Sequence, residues 1–297
     1  MAWTVYKVTY ELCSPLHIGY HKVGNVQRTR YYVPARNLWG AVTETLTRRG
    51  FAIDVLNTQR PDDYQAVGEW VKSHCAFSYW FIEENGLELS PAYQDGELKY
   101  GSLTVPEFER RYLGIHVTTA LDATNTSAAE GSLHEVEFIA PVFRVTRDGE
   151  QQVRRAQVGG YVFLRGGSLR SLGAASHWRN WLGDLQIGGE RRYGFGRLRL
   201  IEFRSIAEAG WHLAADRPQR TLQSGSALPA HAIAQGVNAR GMIEPLVGRE
   251  TSGRSDAFGR VLSPAWVCWT PGSVLEEETQ FEIVDSGVWQ KVGSCTT

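Results

Sequence analysis

The residues best equipped for chemistry are crowded between positions 188 and 197: Gly188, Gly189, Glu190, Arg191, Arg192, Tyr193, Gly194, Phe195, Gly196 and Arg197. Glycines at this density let a chain turn tightly and bring its backbone close to a ligand. Backbone N–H groups exposed in such a turn hold phosphate oxygens, and Arg191, Arg192 and Arg197 add positive charge. Phe195 follows Gly194 where a Walker loop has Lys and Ser or Thr, and the glycine order is not that of a dinucleotide fingerprint. The chemistry is anion binding; a structural turn with solvated arginines accounts for the same residues.

Two further segments concentrate charge. Residues 14–37 hold His17, His21, Lys22, Arg28, Arg30 and Arg36, interleaved with Tyr20, Tyr31 and Tyr32, and no Asp or Glu occurs between Glu11 and Glu44. A basic loop with aromatic rings suits single-stranded nucleic acid, whose phosphates pair with cations while its bases stack. Residues 144–170 carry Arg144, Arg147, Arg154, Arg155, Arg165 and Arg170 against Asp148 and Glu150, which reads as a basic hairpin. If the three segments converge, their shared face is a nucleic-acid site. Signals for catalysis are sparse: HExxH, CxxC and GxSxG are absent, and no metal or cofactor is expected. His17 and His21 titrate near neutrality and could serve as base and acid for RNA self-cleavage at a 2′-hydroxyl, or could simply contact phosphate.

The surrounding elements follow from periodicity. Residues 3–12 alternate, with Tyr6, Val8, Tyr10 and Leu12 on one side, which predicts a half-buried strand. After a loop from Ser14 to about Tyr32, Pro34 opens a helix that carries Leu38, Val42 and Leu46 and stops at Gly50. Residues 51–76 read as mixed helix, 77–115 as irregular, and 116–145 as a long extended stretch with strand character over 136–145. A strand at 160–164, a helix spaced on Leu169, Leu172, Trp178, Leu182 and Leu185, the glycine turn and a strand at 197–203 complete the unit. The order β, α, several β, α, turn, β predicts an α+β, ferredoxin-like (RRM-like) domain over 1–205. Residues 206–297 read as a smaller, mostly β accessory region with strands at 265–269, 279–284 and 288–292. The 297 residues carry 31 Lys and Arg against 32 Asp and Glu, a formal charge of −1, so any basic face is local. Four scattered cysteines and the absence of an apolar run of about 20 residues favour the cytoplasm over a membrane or a secreted framework.

Three pieces, in this order and spacing, resemble the RAMP superfamily of CRISPR proteins. The first is Pro15-Leu16-His17-Ile18-Gly19 followed by Tyr32-Val33-Pro34-Ala35-Arg36-Asn37-Leu38-Trp39-Gly40-Ala41. The second is 120–133, Ala-Leu-Asp-Ala-Thr-Asn-Thr-Ser-Ala-Ala-Glu-Gly-Ser-Leu, which is similar to the thumb segment of type III subunits. The third is 188–197, which resembles the superfamily's glycine-rich loop. The stretches 241–248 and 271–273 are similar to C-terminal segments of larger type III members. The resemblance implies an RRM-like domain with a long thumb insertion that binds CRISPR RNA beside other type III effector subunits in antiviral defence. It places Lys22, Arg28, Arg30, Arg36, Arg154, Arg155 and residues 188, 189 and 191–197 at the RNA. Subunits of this family that cut target RNA carry an Asp in the first loop, and residues 14–33 have none. A non-catalytic subunit that holds the RNA handle or caps the assembly is therefore expected. The alternative within the superfamily is a metal-independent CRISPR-RNA processing endoribonuclease that uses His17 or His21.

Overall fold

A computed structural model describes residues 2–60, 62–120, 127, 131–147, 150–166, 172, 175–207, 210–250, 261–284 and 287–293. The centre of the predicted thumb segment (121–126 and 128–130), Arg170 and the start of the helix predicted from Leu169 lie outside these residues. The fold is α+β. Its helices are α1 (Ala35–Arg48), α2 (Phe51–Asp54), α3 (Tyr64–His74), α4 (Val105–Tyr112) and α5 (Ala175–Leu182).

The strand Trp3–Leu12 is the axis of the main sheet. It pairs antiparallel with Gln157–Arg165 on one side and with Arg197–Ser205 on the other. Asp184–Gln186 extends the sheet beyond Arg197–Ser205, while Trp80–Glu84 and then Tyr32–Val33 extend it beyond Gln157–Arg165. The even-numbered face of the axial strand is aromatic. Tyr6 stacks on Phe203 at 4.5 Å, and Phe203 stacks on Trp178 of α5 at 4.8 Å. The buried Tyr10 hydroxyl accepts from the Trp178 indole at 3.0 Å and donates to the Leu182 carbonyl at 2.7 Å. These paired bonds satisfy the polar tips of two large rings that burial would otherwise leave unmet.

The odd-numbered face is not solvated, contrary to the half-buried strand expected from alternation. Trp3 and Val5 are buried. Lys7 is ion-paired with Glu83 and Glu88. This face meets a seven-stranded sheet built from 211–291, in the order Trp211–His212, Gln219–Leu222, Thr279–Ile283, Trp289–Lys291, Ala232–Ile233, Trp266–Trp269, Ile243–Leu246. Trp211 meets Phe163 edge-on at 4.6 Å, and Trp3 N–H donates to Leu213 O at 3.0 Å. One apolar core runs through both sheets.

The region expected to be irregular, 77–115, wholly contains five described strands and α4. The start of α4 is marked by Thr104, Pro106 and Glu107, where the Glu107 carboxylate accepts from Thr104 N–H at 2.9 Å and from its hydroxyl at 2.8 Å. The single strand expected over 136–145 is two, His134–Ile139 and Val142–Arg147, which pair with different partners. Pro141 stands between them and cannot donate to a ladder. The first loop is also ordered as strands, Gly19–Val23 and Val26–Thr29, in a sheet with His134–Ile139 and Leu113–Thr118. No described helix is long and apolar enough to cross a membrane.

A buried polar chain joins the two sheets. Arg30 Nη2 meets Glu244 Oε1 at 2.8 Å, and Glu244 also contacts His231 Nε2, whose Nδ1 lies 2.7 Å from the Tyr79 hydroxyl. Burial favours the neutral imidazole of His231 and lowers its pKa. Burial alone would raise the Glu244 carboxyl, but the His231 hydrogen bond and the Arg30 charge outweigh it and hold the group at about 2. Both groups are therefore depressed in the fold. As pH falls below about 6.5 the unfolded chain takes a proton that folded His231 resists, and below about 4.5 the same holds for Glu244. Stability should decline progressively from pH 6.5 downward. Glu244→Gln leaves Arg30 buried without its counter-charge and is expected to cost roughly 3 kcal/mol at neutral pH while flattening the acid limb below about pH 4.5. Urea denaturation across pH checks both, and an unchanged acid limb would show that the pair is not what acid disrupts.

Candidate nucleic-acid interface

The glycine turn is shaped by what it lies on. Its neck closes through Ile187 N–H to Gly196 O at 2.9 Å. From there it seats on the first loop: Gly196 N–H donates to Pro15 O at 2.7 Å and Gly189 N–H to His17 O at 2.8 Å, backbone against backbone, and Arg197 N–H donates to the Ser14 side-chain Oγ at 2.9 Å. Gly188 and Gly196 have φ of 86° and 78°. A Cβ on Gly196 would overlap the Ile187 carbonyl oxygen, and one on Gly188 would overlap the His17 carbonyl oxygen. Phe195 is buried and anchors the turn edge-on against Phe138 at 5.6 Å. The tip, a single 3-10 turn over Arg191–Tyr193, stands outward with Tyr193 67% exposed. Residues 188–193 enclose a concavity of about 310 Å³.

The register of the sheet brings the first loop, the glycine turn and the hairpin of the third basic segment to one end, whereas Arg165 of that segment pairs with Trp3 at the other. Leu12 pairs with Leu198, and its N–H donates to Ala156 O at 2.9 Å. The first loop leaves from this end, the glycine turn enters Arg197–Ser205 here, and the hairpin Val142–Arg147/Glu150–Arg155 returns to the sheet here. Beside the turn lies a depression of about 480 Å³ lined by Arg48, Arg49, Arg191, Arg197 and Arg199, with Glu44 and Asp184 as the acids of its described lining. Arg191 is held by Glu44, which also meets Arg48 at 3.1 Å. Among the described residues, Arg192 and Arg197 make no ion pair. Arg48, Arg49 and Arg199 are not among the sequence candidates because the first two sit in a helix end and Arg199, two residues past the glycine turn, reads as the polar side of a strand. Only Arg48-Arg49 beside Gly50 marked them, as a helix stop.

A family model described as the RAMP superfamily matches residues 9–199, more than half of the chain. The chain belongs to the RAMP superfamily. No curated protein matches it. In fold it is similar to a chain of the type III-B Cmr-beta complex bound to cognate target RNA and AMPPnP in state 1. The TM-score is 0.54 at 10% identity, covering 91% of this chain and 86% of that one. A second match, from the same complex bound to cognate target RNA, has a TM-score of 0.52 at 11% identity, with the same coverage.

The RAMP segment sorts its candidate residues into two groups. Arg28 is engaged by Glu137 at 3.0 Å and Glu109 at 3.5 Å, Arg30 by Glu244, and Arg36 packs against Gly248. All three are thus engaged within the fold. Phe195 is likewise engaged, as the buried anchor of the turn. His17 is 3% exposed and its Nδ1 bonds Glu137 O at 2.7 Å, while His21 stands exposed on Gly19–Val23. The fold therefore does not present the two histidines together at an accessible site. Lys22 and Tyr20 are exposed on the same strand as His21. Arg155 reaches Glu11 at 3.5 Å and Arg154 donates to Asn85 at 2.9 Å, both on the basic hairpin. Among the described residues no cluster of three potential metal ligands occurs.

Two glycine substitutions separate seat from tip. Gly194 has φ of 85° but open space around its Cα. Gly194→Ala is expected to cost about 1–2 kcal/mol, the left-handed backbone penalty alone. Gly196→Ala adds an overlap with backbone that cannot move and is expected to cost about 4 kcal/mol or more. Denaturant titration of the two variants checks this; equal costs would mean that the seat does not constrain the turn.

Proposed function

We propose that this RAMP protein is a CRISPR-RNA-binding, non-catalytic subunit of a type III effector complex. The observation that carries the reading is the emergence of the glycine turn, the basic hairpin and the first loop at one end of one strand, beside an arginine-lined depression. The strand order 197–205, 3–12, 157–165, 80–84, with α1 and α5 among the connections, supports the reading of 1–205 as a ferredoxin-like (RRM-like) unit with 206–297 as its accessory region. The segment 120–133, which the resemblance makes a thumb, lies in the chain between the paired strands Leu113–Thr118 and His134–Ile139. Chains of similar fold stand in complexes bound to target RNA, which supports RNA and neighbouring effector subunits as partners.

RNA phosphates would lie along Arg192, Arg197, Arg199, Arg48 and Arg49, with the 188–193 concavity offering backbone donors and Tyr193 a face for a base. The reading is electrostatic and so depends on salt. Arg192→Ala and Arg197→Ala should each shrink the log–log salt slope for single-stranded RNA by roughly 0.7, while Arg28→Ala should lower stability and leave the slope alone. Fluorescence anisotropy between low and moderate salt measures this, and slopes unchanged by Arg192→Ala and Arg197→Ala would remove the turn from the interface.

The first loop supplies no carboxylate of the kind Mg²⁺ prefers, and His17 is enclosed. The purified chain is therefore expected to leave labelled repeat RNA intact in chelator and labelled target RNA intact in Mg²⁺. Specific cleavage that disappears in His21→Ala would replace the binding reading with a nuclease.

A further inference from the structure

The glycine turn has a second side, away from the arginine depression. There its Phe195 ring meets Phe138 at 5.6 Å and His116 at 5.9 Å. Both partners belong to the four-stranded sheet ordered Leu113–Thr118, His134–Ile139, Val26–Thr29, Gly19–Val23. They therefore mark the face of that sheet turned toward the glycine turn.

Register sorts the side chains of this sheet by chemistry. His116 pairs with Val136, Val136 with Gln27, and Gln27 with Lys22, and paired residues project to one side. The row crosses all four strands, roughly 14 Å from first to last. Alternate residues take the opposite side, so Glu135 and Glu137, the only acids in the four strands, fall on the far face, where Glu137 holds Arg28 at 3.0 Å. The face shared with the turn thus receives no carboxylate from its own strands and carries Lys22 at one margin. Lys22 is exposed and makes no ion pair among the described residues.

The aromatic residues of this face differ in availability. Phe138 lies across Gly114, where a Cβ would stand 2.6 Å from its Cζ, so its ring fills the space of a missing side chain. Phe195 is buried. His116 is exposed, with Phe195 against one side of its ring, and its backbone is held by the ladder that runs through Ile115, His116 and Val117. An exposed planar ring, backed by a second aromatic ring and carried on a paired strand, is a surface on which a nucleic-acid base stacks.

We propose that an RNA strand crosses the turn from the arginine depression onto this sheet, with a base stacked on His116 and a phosphate at Lys22. This rests on the RNA reading of the turn and extends it with a direction for the strand and a base platform absent from the sequence candidates. The test compares binding of single-stranded RNA and of an abasic strand of equal length to the full chain, by fluorescence anisotropy. His116→Val keeps a strand-forming side chain without a π-face. It is expected to weaken RNA by about tenfold, to leave the salt slope and the abasic strand unchanged, and to be rescued by His116→Phe. Lys22→Ala is expected to weaken both strands alike and to shrink the slope by roughly 0.7. Wild-type RNA affinity in His116→Val, or equal losses in His116→Val and His116→Phe, would overturn the platform. If Arg192→Ala still shrank the slope in either case, the RNA reading of the turn would stand without it. Slopes unmoved by Arg192→Ala and Arg197→Ala would overturn that reading and this inference together.

Discussion

The backbone-to-backbone seat of the glycine turn on Pro15 and His17 is the contact on which the rest of this surface depends. Two peptide chains can approach so closely only where no side chain intervenes, and Gly188 and Gly196 meet that condition. The seat explains why His17 is buried, because its carbonyl is the acceptor that receives Gly189 N–H. It also explains the exposure of Arg192 and Tyr193: with Phe195 drawn inward against Phe138, the preceding 3-10 turn has to point away. The dense glycines are thus demanded first by the protein's own packing, and the open surface they create is the consequence.

Positive charge in this chain divides by depth. Arg28, Arg30 and Lys7 face carboxylates and tie elements together, whereas Arg192 and Arg197 stand beside the turn with no ion pair among the described residues. Removing an arginine from the first set leaves a carboxylate without its partner and should be felt as lost stability; removing one from the second should be felt in binding to an anion. The Arg30–Glu244–His231–Tyr79 chain makes the C-terminal sheet part of this arrangement, since it fixes the first loop from the far side.

Much of the scaffold is legible locally. The alternation of Tyr6, Val8, Tyr10 and Leu12, the spacing of Leu38, Val42 and Leu46, and the Pro34 start are short-range signals, and the strand Trp3–Leu12 and α1 follow them. The Thr104/Glu107 box was equally local, and it marked α4 within a stretch that composition alone made look irregular. What sequence could not supply was partnership. An acid-free run from 12 to 43 resembles a free cationic loop, yet the acids that neutralise it, Glu109, Glu137 and Glu244, lie 81 to 214 positions away in the chain. The burial of Lys7 was hidden for the same reason, since a strand's alternation does not reveal that its second face meets another sheet.

The central claim is that nucleic acid lies across the seated turn and the arginine depression next to it. Photocrosslinking of 4-thiouridine-substituted single-stranded RNA to the full chain, with the linked peptides identified by mass spectrometry, tests it most directly. Links concentrated within 188–199 and on the hairpin 142–155 are expected. Links that avoid both segments while RNA remains bound would contradict it.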